Sequence, residues 1–204
     1  MAVSPAQSAN PRLQALHIID DEHRSIAAVL HGLLYLTRNI RHGLQQPDFV
    51  LFDAMVGYLT SFSGAFHHRK EDEYLFRLLR RRCLAASDLL NRLHDEHDSG
   101  AAKLHAVTAA LARYREKSGP GFAVFAGQVN EFAAMQWEHM RREESELLPL
   151  TRQHLTEADW LEIHEAFAGH TDPLLGVEAA EPYKALFRRI VHLAPPPIGV
   201  GPGH

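Results

Sequence analysis

Two ten-residue stretches carry most of the chemistry this sequence can do: HHRKEDEYLF at 67–76 and HMRREESELL at 139–148. In each, a histidine is followed four residues later by a glutamate, His67 by Glu71 and His139 by Glu143. On an α-helix such a pair leaves one face about a turn apart. An imidazole stacked on a carboxylate is half a metal site. Each stretch has a partner upstream, the DEH segments ending in His23 and His97, with an apolar residue (Ile19, Leu93) four places before the histidine. The chain therefore reads DEH, HxxxE, DEH, HxxxE.

These motifs need long helices to carry them, and the apolar spacing supplies four. The first runs from about Pro11 to Arg41, with Leu13, Leu16, Ile19, His23, Ile26 and Leu30 on one stripe. After a loop at 42–47, Asp48 caps a second helix that reaches about Arg82. Ser87 is the expected N-cap of a third, ending near Lys117, and the breaker Ser118-Gly119-Pro120-Gly121 precedes a fourth from about Phe122 to His154, which Pro149 can kink or end. Thr156 and Asp159 have capping-box spacing for a shorter fifth helix. A sixth falls near residues 182–193, and no strand pattern occurs. The fold class is all-α: an antiparallel up-down four-helix bundle over 13–154, a disordered start at 1–12, a helical extension at 155–194 with one or two further helices, and an irregular tail at 195–204.

Counting along these helices puts the motifs at one height. His23 lies about 20 residues before the first loop and His67 about 20 after it, so each is roughly 30 Å from that end at 1.5 Å per residue. Glu71 and His97 are level when counted from the opposite end, and His97 and His139 from the third turn. Singly, each histidine reads as an ordinary core residue and each HxxxE as a solvated pair. Together they would leave four imidazoles and two carboxylates uncompensated inside an apolar bundle, which is costly unless a cation meets them. Six such ligands exceed one tetrahedral zinc and suit two metal ions bridged by Glu71 and Glu143. Imidazole with carboxylate favours iron, with manganese, zinc or a mixed pair left open by ligand type.

Composition agrees. Fifteen histidines in 204 residues lean towards metal, whereas a net charge of -4 gives no footprint for nucleic acid or an anionic membrane. A single cysteine excludes an internal disulfide and fits a reducing compartment. The start lacks a leader pattern, and no run of eighteen uncharged apolar residues occurs, so a soluble cytoplasmic protein is expected.

At these residues the sequence resembles the hemerythrin family, in particular the bacterial hemerythrin-like (HHE cation-binding) proteins, over roughly Leu16 to Leu150. The resemblance implies an up-down bundle around a non-haem di-iron centre. His23, His67, His97 and His139 would be terminal ligands, and Glu71 and Glu143 bridges alongside an oxo or hydroxo group. Family members bind oxygen, handle iron, sense oxygen or redox state, or respond to nitric oxide and peroxide. Oxygen carriers of the family use a fifth histidine four residues before the one at His97, where this chain has Leu93. His94 shares a face with His97, and His68, about 100° around from His67, would need a helical deviation to reach the same ions. Both are additional candidates.

Around the centre, Asp72, Glu73, Glu144 and Glu146 read as a wet face and Tyr74 as a packing residue able to hydrogen-bond inward. Gly64, Gly100 and Ala101, with Ile19, Phe66, Leu104 and Met135, read as a dry pocket sized for a diatomic ligand or as close helix packing. Trp160, Phe167 and Phe187 either cap the bundle or form a homodimer interface. Reversible binding of O2 or NO, turnover of peroxide, O2 or NO, and iron or oxygen sensing all remain open, and no catalytic residue is assigned.

Overall fold

A computed structural model describes residues 10–169, which are almost wholly helical and contain no strand. Helix α1 spans Pro11–Arg41, with Asn10 accepting a hydrogen bond from the Arg12 amide and Pro11 filling the first turn, where a missing N–H costs nothing. A short loop containing Gly43 in the left-handed region (φ 70°) leads to Asp48, whose carboxylate accepts from the Leu51 amide at 3.0 Å and starts α2, Phe49–Arg82. By length and composition alone α2 could cross a membrane. Its apolar residues Phe52, Met55, Tyr58 and Leu59 are instead buried in a core shared with other helices.

The next two connections differ from expectation. A single 3-10 turn, Leu84–Ala86, joins α2 to α3, Ser87–Glu116, and Ser87 is the first helical residue rather than the cap, its hydroxyl donating back to the Leu84 carbonyl. Only Lys117 separates α3 from α4, residues 118–154. The SGPG segment opens α4 instead of breaking the chain, because Gly121 lies against the α3 backbone: a Cβ there would sit 2.6 Å from Tyr114 Cα. Pro149 does not end α4, which continues to His154.

Three segments widen into π turns, Leu59–His67 and Glu71–Phe76 in α2 and Glu143–Leu147 in α4. The His68 amide there reaches the Ser63 carbonyl, and the Leu148 amide the Glu143 carbonyl. Helix α5, Glu157–Ala168, begins with the expected capping box. Arg82 donates to both oxygens of Asp159 at 2.9 and 3.0 Å, fastening α5 to the end of α2.

The apolar side chains form two clusters. One holds Leu30, Leu33, Phe52, Leu59, Val107 and Phe125; the other holds Ile19, Leu75, Leu79, Leu93, Leu147 and Trp160. Between them lies a buried polar layer. Trp160 and Phe167 belong to the second cluster, so they seal the interior of this chain. Phe187, the sixth helix and the tail lie outside the described residues, as do residues 1–9.

Candidate metal centre

Each long helix contributes to the polar layer: His23 from α1, His67 and Glu71 from α2, His97 from α3, and His139 and Glu143 from α4. None is more than 6% exposed. Their Nε2 atoms turn inward onto the two carboxylates. Glu143 lies 3.3 Å from Nε2 of both His23 and His139, and Glu71 lies 3.4 Å from that of His67 and 3.5 Å from that of His97. The Nε2 atoms of His97 and His139 are 3.1 Å apart. Among the described residues, ligand atoms within 4.8 Å of one another form two fully buried groups, His23, His67, Glu71 and Glu143, and His68, Glu71, His97 and His139, and a third, partly exposed one of Asp72, His94 and His97. Glu71 belongs to both buried groups.

The opposite ring nitrogens are held with equal regularity. Nδ1 of His67 meets Glu22 at 2.7 Å and that of His139 meets Glu96 at 3.1 Å; His97 meets Asp72 at 3.0 Å and His23 meets Glu144 at 3.2 Å. A carboxylate on Nδ1 fixes the tautomer that leaves Nε2 free to ligate, and it orients the ring. The pattern follows the repeat: the glutamate of each DEH holds the histidine of the same half's HxxxE, and the acid after each HxxxE glutamate holds the DEH histidine of the other half. Lys70 and Arg142, each three residues after an HxxxE histidine, complete it by donating to Glu22 and Glu96 at 2.5 Å. Lys70 is itself buried beneath the Phe167 ring, 4.5 Å from its centroid.

Glu144 lies on the wet face as expected, its side chain 56% exposed, and Asp72 is partly buried; beyond that expectation, each also orients an inward-facing histidine. Sequence reasoning also gave Glu22 and Glu96 no role, although their signal is the fixed glutamate preceding each DEH histidine. Glu73 and Glu146 do lie at the surface, Glu73 paired with Arg69. Of the two additional histidines, His68 comes in and His94 stays out. His68 is buried and stacks on His97 with ring centroids 4.2 Å apart, while His94 is 55% exposed and bound to Asp72. The π turns on either side of residues 68–70 alter the α-helical register that would carry His68 away. Tyr74 packs on the second apolar cluster beneath Arg77, and Phe66 is exposed.

The donor set fits cations. All four oxygens of Glu71 and Glu143, and Nε2 of His23, are buried without a hydrogen-bond partner. Without metal, protons supply the missing charge. Burial opposes protonation of His97, but its bond to Asp72 and the nearby negative carboxylates of Glu143 and Glu71 win and raise its pKa to about 11. His23 and His139 are also raised against burial, by Glu143 foremost. Burial would raise Glu71 and Glu143; the surrounding imidazoles instead hold them below the usual range. His68 differs, being driven down by burial and by the positive charge of His97 and His67. It is the histidine already prepared to ligate as a neutral ring.

No curated protein matches the chain significantly. A family model does, that of the hemerythrin HHE cation binding domain, over residues 14–151, which contain every inward-facing ligand group described above. On that match, and with both halves of the motif assembled in one buried layer, the chain belongs to the hemerythrin HHE cation-binding family.

Proposed function

We propose that the chain holds two iron ions bridged by Glu71 and Glu143 and takes up a small diatomic ligand, O2 or NO, at that centre. The observation that carries this reading is the set of four unpartnered carboxylate oxygens enclosed by inward-facing imidazoles, each oriented by an outer carboxylate. His23 and His67 serve one ion, and His97 and His139 the other with His68 as a fifth imidazole. The four long helices and their short connections support an up-down bundle as the frame. Iron supplies reversible one-electron chemistry when bound; the protein's part is to hold its ligands, exclude water and keep the centre's charge balanced.

The test is the visible spectrum of anaerobically reduced, iron-loaded protein on exposure to oxygen. A charge-transfer band that forms and then disappears on deoxygenation is expected. A band that never forms while oxygen is consumed would replace this reading with an oxidoreductase acting on O2, peroxide or NO.

A further inference from the structure

A cleft of about 1,050 Å³ lies between α2 and α3 and runs from Asp53 and Arg115 to Asp72 and Glu73. This is at the upper end of the space that drug-sized ligands occupy, about 300–1,000 Å³. The twenty residues from Asp53 to Glu73 span about 30 Å, so the cleft is a groove elongated along the helices rather than a bowl. The lining is mainly apolar, with Leu104, Leu111 and Phe132 along it and small residues, Gly64 and Ala101, on facing helices.

One end of the groove is chemically distinct. His68 and His97 line it beside Gln136, which is only 3% exposed and whose Oε1 has no hydrogen-bond partner. Gln136 stands three residues before His139, the place that Gly64 holds before His67, so one half of the repeat offers an amide where the other offers space. A buried amide oxygen without a partner is costly, so the side chain gains from any group that lets the amide complete its bonds at the cleft. A hydroxyl can donate to its oxygen or accept from its nitrogen, whichever end of the amide faces it.

We propose that this cleft binds a single-chain amphiphile, with a hydroxyl-type head at Gln136 beside His68 and an unbranched hydrocarbon tail running past Ala101 and Leu104 towards Arg115. The assignment goes beyond uptake of a diatomic ligand and does not depend on which metal fills the centre. It gives the centre an organic molecule to meet.

The test is calorimetric titration of the metal-loaded protein with 1-butanol, 1-hexanol and 1-octanol, with metal content measured on each sample. Affinity should rise about fourfold per added methylene. Ala101→Phe and, independently, Gly64→Leu should flatten that rise without changing metal content, while Gln136→Leu should weaken octanol about tenfold and keep the slope. A flat chain-length series in the wild type, or an unchanged slope in a folded tail variant, would overturn the proposal. So would self-association that 1-octanol fails to disrupt, since a second copy would then fill the cleft. A protein that bound no metal yet kept the slope would sink the di-iron reading and leave this one standing.

Discussion

The outer carboxylates make the most specific claim at the level of single residues. Glu22 and Glu96 sit at equivalent places in the two halves and hold His67 and His139 through Nδ1. Glu22→Gln or Glu96→Gln should each weaken metal binding about 10- to 100-fold while leaving the inner ligands in place, measurable by competition with a chelator. Between the extra histidines, His68→Ala should lower metal affinity, and His94→Ala, at the surface, should leave it unchanged. The sequence presented both as candidates because separation along a helix does not reveal a π turn. Charge behaviour follows from the same contacts. In the metal-free protein the raised His97 contributes stability that is complete below its ordinary 6.5 and lost as pH climbs through about 11. The lowered Glu71 and Glu143 contribute stability present above their ordinary 4.5 and lost as pH falls. The lowered His68 contributes stability that is present above its ordinary 6.5 and lost as pH falls, so metal-free protein should resist urea best near pH 6.5, and a maximum above pH 8 would contradict this. Metal competes with those same protons, so uptake should release them, and loaded protein should lose its metal as pH falls through roughly 6 to 5.

Among the helices, the joints were harder to foresee than the rods. Apolar spacing located α1 and α2, and Asp48 and Thr156 cap as their types and positions predict. Ser118-Gly119-Pro120-Gly121 looks like a breaker because glycine and proline usually are; here Gly121 serves close approach to Tyr114, a tertiary fact invisible to local composition. Gly121→Ala should accordingly cost about 1–3 kcal/mol through overpacking, whereas Gly127→Ala, in open space inside α4, should stabilise by up to about 1 kcal/mol through helix propensity, read from urea midpoints. The π turns have a similar status. Two of the three begin at Glu71 and at Glu143, equivalent positions in the two halves, the third at Leu59, and nothing in side-chain periodicity announces them. Helix α5 is fixed by its capping box and by Arg82, so Thr156→Ala should destabilise the protein by about 1 kcal/mol. Through Phe167 over Lys70, the same loosening should reach the Glu22 and His67 end of the centre.

Across the molecule, two apolar clusters enclose one polar layer, and that layer was the most legible part of the sequence. Counting residues from the turns brings all four helices level without coordinates, because helical rise is constant and the connections are short. The outer shell was less legible: a glutamate beside a histidine in sequence points elsewhere on the helix, and only packing shows which ring it meets. The cleft was least legible, since small residues spaced along α2 and α3 serve tight packing as readily as empty space. The apolar clusters alone do not account for a layer of buried carboxylates, so removing metal should lower the thermal midpoint, and readdition should restore it. Elemental analysis of folded protein produced with iron is the most direct measurement of the central claim. About two irons per chain, reduced to one or none in Glu71→Ala, is the predicted result; a folded wild-type protein carrying no metal would contradict it.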